Sequence, residues 1–156
     1  MLVLLIVAMM AAIVAPNIFQ SYGARAEDQA RRLQQLLSLA ANESMLTGVP
    51  TRWTAFADGY RFEQPNSEGE WIPMNDHPFV DETFNADARI LEVRSQGLEN
   101  VIEHERDMKR PVLGRLLMMP DGMLTPADII LSIDGAEDRV IQARPGPGGI
   151  KLLALQ

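Results

Sequence analysis

The chain has 156 residues, which is enough for one domain with a short appended segment. Its 14 Lys and Arg stand against 21 Asp and Glu, and the net charge of −7 argues against nucleic acid as a default partner, because an acidic surface gains nothing from counterion release. The absence of cysteine excludes thiol catalysis and Cys-based zinc sites.

The first segment, residues 1–15, is apolar throughout and reads MLVLLIVAMMAAIVA. As a helix it would span about 22 Å, less than the roughly 30 Å hydrocarbon core of a bilayer. No basic stretch precedes the apolar run, which argues against a secretory signal peptide. Ala8 and Ala12, beside Met9, are small enough to allow close helix packing in lipid, and simple lipid contact is the alternative. Pro16 is expected to kink or loosen the helix.

The next segment, from residue 24, has apolar residues at helical spacing opposite a charged face. The apolar stripe includes Leu33, Leu37, Ala40 and Ala41, which we expect to pack on a sheet. Gly48 followed by Pro50 predicts the end of this helix.

Residues 1 to about 47 are therefore predicted to form one helix of roughly 70 Å. A small globular domain does not need a helix of this length, so we expect its front part to project into lipid or into other subunits. The predicted division is residues 1–23 as the transmembrane or filament-core half of the helix, and residues 24–156 as a head. Within the head, residues 24–47 form the amphipathic helix and residues 51–156 the sheet.

The residues after Pro50 have β-strand patterns. Alternating stretches at 51–56 and 60–64 flank Ala57-Asp58-Gly59 and predict a hairpin. Residues 65–89 read as loop apart from the apolar pair at 71–72, and residues 90–94 as a strand. Residues 99–110 are charge-dense and predict either a short helix or a loop.

The last third predicts four strands, at 113–119, 128–133, 139–143 and 150–155, joined by turns rich in Gly, Pro and Asp. Short consecutive strands with tight turns favour an antiparallel meander. The predicted fold class is α+β, with a long N-terminal helix packed on a small antiparallel sheet.

Residues that might carry chemistry are few. His104 lies between Glu103 and Glu105, but adjacent side chains diverge on a strand or a helix, so His104, like His77, is predicted to be solvated. The loop acids Asp76, Asp81, Glu82 and Asp87 do not follow an EF-hand pattern, which favours a solvated loop over a weak calcium site. Trp53 and Trp71 are predicted to pack in the core or on strands. No catalytic motif, cofactor site or metal site is predicted.

Three stretches resemble the type IV pilin superfamily, and within it the H-type minor pseudopilins of type II secretion systems. The first is the apolar run at 1–17 with its proline at Pro16. The second runs from Arg32 through the Gly-Val-Pro stop at 48–50 into Gly59-Tyr-Arg-Phe62, and the third is Met119-Pro-Asp-Gly122 with the strands after it. The resemblance covers roughly two thirds of the chain, and residues 65–112 match nothing in it.

The resemblance implies a structural subunit that waits in the bacterial inner membrane as a single-pass protein with its head in the periplasm, and that is then built into the pseudopilus. Implied partners are inner-membrane lipid, the other minor pseudopilins of the tip complex and the major pseudopilin. Prepilin peptidase would process the full-length precursor, and the mature N-terminus would be methylated. The implied membrane and assembly residues are Leu2, Leu5, Ala8, Met9, Ala12 and Pro16.

Prepilins begin with a basic leader, a Gly before the cleavage point, then Phe-Thr-Leu and a Glu, and none of these is in this sequence. We expect either a start codon placed at an internal Met or missing leading residues.

The sequence also leaves two other functions open. A pilin of the related type IV pilus branch, for pilus assembly or DNA uptake, would need a basic cluster, and the densest basic residues are Arg106, Lys109, Arg110 and Arg115. A small secreted hydrolase would need a catalytic constellation.

Overall fold

The computed structural model describes residues 27–84, 88–95, 110–134 and 137–154. Within these ranges it contains one helix, α1, at residues 27–47, and nine β-strands. The predicted apolar segment 1–23 and the charge-dense residues 99–109 lie outside the described residues. No helix in the described ranges has both the length and the sustained apolar character needed to cross a membrane.

Helix α1 ends where the sequence predicts. Gly48 adopts a left-handed backbone conformation with φ of 72°, which glycine reaches without steric cost. Its N–H donates to the Ser44 carbonyl at 3.0 Å and so satisfies one of the last helical carbonyls. Near the start of the described helix, Arg31 Nη2 lies 2.6 Å from Glu27 Oε1, an i,i+4 ion pair on the exposed side.

Sheet A has five antiparallel strands in the order β3-β2-β1-β6, with β4 also pairing with β2. Its strands are β1 (Thr51–Phe56), β2 (Gly59–Pro65), β3 (Trp71–Pro73), β4 (Glu82–Thr83) and β6 (Val112–Met118). The predicted hairpin is confirmed, with Phe56 opposite Gly59 across the two-residue turn Ala57-Asp58.

Sheet B has four antiparallel strands in the order β5-β7-β8-β9. Its strands are β5 (Ala88–Ser95), β7 (Ala127–Ile133), β8 (Arg139–Ala143) and β9 (Ile150–Ala154). Strands β7, β8 and β9 form the predicted meander. Strand β5 joins this meander at β7 from an earlier part of the chain.

The α+β fold class is confirmed, but the single small sheet expected from the sequence is wrong: the strands form two sheets. Strand β6 leaves the C-terminal meander and pairs with β1, with Trp53 opposite Leu116. The loop predicted at 65–89 also contains β3 and β4 as short edge strands beside β2. The pairings of β6 with β1 and of β4 with β2 join residues far apart in sequence, which local patterns do not encode. Strand β3 instead follows β2 closely, and its local signal was the apolar pair at 71–72.

One hydrophobic core joins α1 and both sheets. The stripe of α1 meets the inner faces of the sheets, where Trp53, Phe62 and Ile129 are fully buried. An aromatic cluster of Trp53, Tyr60, Phe62, Phe79 and Phe84 lies within this core, with neighbouring ring centroids 5.2–6.2 Å apart.

Two glycines allow close backbone approaches. A Cβ on Gly59 would lie 2.0 Å from the Glu82 carbonyl oxygen, so glycine permits β4 to lie against β2. A Cβ on Gly114 would lie 2.6 Å from Val93 Cβ, so glycine lets β6 of sheet A approach β5 of sheet B. The sequence suggested Gly59 as part of the turn, whereas its structural role is to make room for a third strand.

Candidate assembly surface

The exposed side of α1 is a helical surface that the rest of the described structure leaves uncovered. We call it the outer helix face, and its residues are Asp28, Arg31, Arg32, Gln35, Leu39, Asn42 and Leu46. It is charged at its start and apolar towards Gly48. Leu46 is 83% exposed and Leu39 43%, which is more apolar surface than a helix turned towards water needs to show.

The opposite side of α1 is buried in the core. Leu33, Leu37 and Ala40 are fully buried, and Ala41 is partly buried against the same cluster. Leu36 is also buried, although it was not among the residues predicted for the stripe. Because four leucine or alanine positions in successive turns are buried, α1 is held as a rigid part of the head.

Polar contacts fix α1 to both sheets. The buried Ser44 Oγ donates to the Met118 carbonyl of β6 at 3.0 Å. Gln34 Nε2 donates to the Ile150 carbonyl of β9, also at 3.0 Å. Since these two bonds hold the helix at different points along its length, its direction relative to the head is determined and the outer helix face has a defined orientation.

Tyr60 lies under the helix and is almost completely buried. Burial, reinforced by the nearby Glu82 carboxylate and opposed by Arg32, raises the pKa of Tyr60 to about 12. The Tyr60 side chain is therefore neutral at physiological pH, and its ring serves packing and not proton transfer.

The outer face of sheet A contains a buried ion pair that sequence reasoning missed. Arg52 Nε lies 2.8 Å from Glu63 Oε2, and Thr54 Oγ1 donates to the same oxygen at 2.7 Å. Both side chains of the pair are less than 10% exposed, and Arg52 also stacks on Trp71. Alternation in β1 placed Arg52 and Thr54 on one face, but nothing local indicated that this face is buried.

A second group of charges lies at the end of the same sheet. Arg110 contacts Asp58 at 3.0 Å and Asp81 at 3.2 Å, and its guanidinium carbon is 4.3 Å from the centroid of Phe56. Asp81 also pairs with Arg61 at 3.4 Å. These contacts position the chain at Arg110 and occupy Asp81, so the arrangement is structural.

The described residues do not gather the predicted loop acids into a chelating group. No cluster of three or more His, Cys, Asp or Glu suited to a metal ion occurs among them. Asp81 pairs with arginines, and Glu82 lies 3.5 Å from Arg32. Asp87 and His104 lie outside the described residues.

The structure describes only part of the group of basic residues that the sequence suggested as the densest. Arg106 and Lys109 lie outside the described part of the chain, and Arg110 is committed to Asp58 and Asp81.

The predicted membrane and assembly residues also lie outside the described part of the chain. They are Leu2, Leu5, Ala8, Met9, Ala12 and Pro16.

Comparison with known proteins decides the family. The family described as "Type II transport protein GspH" matches residues 29–146, well over half of the chain. The chain belongs to the GspH family. The match begins in α1 and extends through β8. No curated protein sequence matches the chain significantly.

Two solved structures have the same fold as this GspH family member. One is the crystal structure of the minor pseudopilin EpsH from the type II secretion system of Vibrio cholerae. Its sequence is 20% identical, the TM-score is 0.62, and the match covers 85% of this chain and 94% of the EpsH chain. A second EpsH structure from Vibrio cholerae is 19% identical, with a TM-score of 0.59 and coverage of 83% and 94%. The family match and this fold support a minor pseudopilin of type II secretion, and a pilin of the type IV pilus branch is not favoured.

Proposed function

We propose that the chain is a structural subunit near the tip of the pseudopilus, where it links the other minor pseudopilins of the tip complex to the shaft of major pseudopilin. Residues 1–23 anchor it in the inner membrane before assembly and pack among neighbouring helices afterwards. The head remains on the periplasmic side. Burial of the same apolar segment stabilises both states, because lipid and helix neighbours both remove it from water.

The observation that carries this proposal is the asymmetry of α1. One side is buried in the core, while the opposite side exposes Leu39 and Leu46. In the sequence, the residues ahead of α1 are apolar up to Ala15. A helix fixed to its head in a defined direction, with an uncovered outer face, supports a role in side-by-side packing of subunits.

The absence of cysteine from the chain offers a direct test. We would introduce Leu39→Cys on the outer helix face and, as a control, Glu68→Cys at the exposed turn between β2 and β3. Each variant is treated with a bulky maleimide, once as isolated protein and once in pseudopili prepared from secreting cells. Because each variant has a single thiol, the labelled fraction reports one position.

Both thiols should react in the isolated protein, since both positions are exposed. In assembled pseudopili the Leu39→Cys thiol should be protected, and the Glu68→Cys thiol should still react. Equal labelling of Leu39→Cys in the two preparations would show that the outer helix face is not an assembly surface. Failure of the chain to enter pseudopili at all would reject the subunit role itself.

A further inference from the structure

Strand β9 is an edge of sheet B that has no neighbouring strand on its outer side among the described residues. It pairs with β8 on one side only, with Ile141 opposite Leu152. Proteins usually protect such an edge with a proline, a bulge or a covering element. Strand β9 contains neither a proline nor a register shift, and it carries one charged residue, Lys151.

The hydrogen-bond pattern shows which backbone groups face the open side. Arg144 N–H donates to the Gly149 carbonyl at 2.8 Å, so residues 144 and 149 form a hydrogen-bonded pair at the start of the hairpin. Such pairs alternate along an antiparallel ladder, which directs the N–H and C=O groups of Ile150, Leu152 and Ala154 away from β8. The bond from Gln34 Nε2 to the Ile150 carbonyl agrees with this direction.

Next to this edge lies an open groove of about 600 Å³ between α1 and β9. Its lining includes Gln34, Gln35 and residues 152–154. Within the described structure, Gln34 satisfies one outward carbonyl, and the outward N–H and C=O of Leu152 have no protein partner. The groove therefore offers the backbone bonds that an added strand requires.

The side chains around the edge define the sequence of such a strand. On the α1 side, the groove is lined by Arg31, which pairs with Glu27 at 2.6 Å, and by Arg139, which lies 3.6 Å from the exposed Glu137. These exposed ion pairs can exchange their carboxylates for those of a bound segment at little cost. On the opposite side of sheet B, Ile130, Val140 and Leu153 lie in register across three strands and form an apolar row that ends at the open edge. An added strand would place alternate side chains towards the arginines and beside Leu153.

We propose that this groove binds an extended segment of another polypeptide as a fifth strand of sheet B, and that the segment alternates acidic and apolar residues. Its acidic side chains face Arg31 and Arg139, and its apolar side chains continue the row beyond Leu153. Backbone bonds to Leu152 supply affinity, and the two side-chain faces supply specificity. This groove shares Arg31 and Gln35 with the outer helix face, whose apolar residues Leu39 and Leu46 are not among its lining residues.

The test uses two fluorescent pentapeptides with blocked ends, Val-Glu-Val-Glu-Val and Val-Lys-Val-Lys-Val, titrated with the full chain in detergent and followed by anisotropy. The glutamate peptide should bind, and the lysine peptide should bind about tenfold more weakly or not at all. Leu152→Pro, which removes the outward N–H without touching a bond to β8, should weaken binding of the glutamate peptide about tenfold. The matched control Leu152→Ala keeps that N–H and should stay within about threefold.

Circular dichroism checks that the variants are folded. Should Leu152→Pro unfold the chain, Ala154→Pro at the exposed end of β9 is used in its place. Arg31→Glu should reverse the peptide preference, because it changes the sign of charge on the α1 side.

Equal binding of the two peptides, or equal affinity of the proline and alanine variants, would overturn the proposal. Self-association of the chain that depends on the Leu152 N–H, without binding of either peptide, would assign the edge to a second copy and would also overturn it. Loss of peptide binding would leave the assembly role of the outer helix face untouched, so the two proposals fail separately.

Discussion

The two sheets of the head differ most on the faces that they turn away from α1. On sheet A this face carries charges that are buried and paired, with Arg52 and Glu63 both less than 10% exposed. On sheet B the corresponding face carries an apolar row, Ile130, Val140 and Leu153, that is half-buried or exposed. On these two outer faces, therefore, the named charged side chains are buried and the named aliphatic side chains are at least partly exposed.

This difference suggests that sheet A mainly stabilises the fold, whereas the edge of sheet B can bind a partner. Every residue of β1 is buried, and this strand has a paired strand on each side, β2 and β6. Strand β9 at the edge of sheet B buries only Ile150 and keeps outward backbone groups. A surface that is already satisfied contributes to folding, whereas one with unused hydrogen bonds and apolar area can still bind a partner.

The largest effect should come from the ion pair of sheet A. Glu63→Gln removes the charge opposite Arg52 while keeping the shape of the side chain, and it should lower the free energy of unfolding by about 3–5 kcal/mol, because it breaks a buried, hydrogen-bonded ion pair. Urea denaturation measures this cost. Glu68→Gln at an exposed turn is the control and should change the free energy by less than about 0.5 kcal/mol.

Equal costs at Glu63 and Glu68 would show that the outer face of sheet A is hydrated, and the contrast between the sheets would disappear. The double variant Arg52→Met with Glu63→Leu tests whether the loss comes from breaking the pair. It should recover much of the lost stability, since apolar residues of similar size can replace a buried ion pair.

The next effect concerns the two sides of α1. Leu37→Ala should cost about 2–5 kcal/mol, because it opens a cavity under a helix that joins both sheets. Leu46→Ala on the outer helix face should cost less than about 0.5 kcal/mol in the isolated protein. Thermal and urea unfolding of both variants would test this, and a large cost at Leu46 would mean that its face is already covered within the chain.

A third effect is the pH dependence caused by Tyr60, which lies on the inner face of sheet A. Its pKa is about 12 in the folded chain against the ordinary tyrosine pKa of 10.0, so the folded state holds its proton over a range where the unfolded state loses it. The resulting stabilisation is complete below pH 10 and is lost as the pH rises towards 12. About 2–3 kcal/mol should disappear over this window.

Urea midpoints measured between pH 9 and 12 would reveal this loss, with Tyr60→Phe as the control. The phenylalanine variant should show a smaller decline, because it has no proton to lose at that position. Parallel declines in the two proteins would show that Tyr60 is not desolvated as its burial indicates.

The smallest effect is expected on the outer face of sheet B. Val140→Thr keeps the size and branching of a half-buried side chain and should change the free energy of unfolding by about 0.5 kcal/mol or less. The same change should weaken the binding of any partner whose apolar side chains extend this row. A cost as large as that of Glu63→Gln would show that the outer face of sheet B contributes as much to stability as that of sheet A.

The sequence predicted the features that local patterns determine. The helix end at Gly48, the β1–β2 hairpin, the three strands of the C-terminal meander and the buried position of Trp53 all follow from spacing and turn residues. The pairing of β6 with β1, the short strand β4 and the burial of Arg52 did not follow, because they depend on contacts between distant residues. Strand β3 was missed because it has only three residues, in a stretch rich in loop-forming residues. The outer helix face was predictable as polar, but the exposure of Leu39 was not.

The central proposal is that assembly into the pseudopilus depends on subunit contacts made by the predicted N-terminal helix and not on a catalytic pocket in the head. The most direct measurement is secretion by cells that carry Ala12→Asp or its matched control Ala12→Val in place of the native chain. A charge at the centre of a membrane helix costs on the order of 2.5–3.5 kcal/mol, whereas valine remains apolar. We predict that secretion fails with Ala12→Asp and persists with Ala12→Val, while both heads stay folded. Normal secretion with Ala12→Asp, or with a chain lacking residues 1–23, would contradict the account.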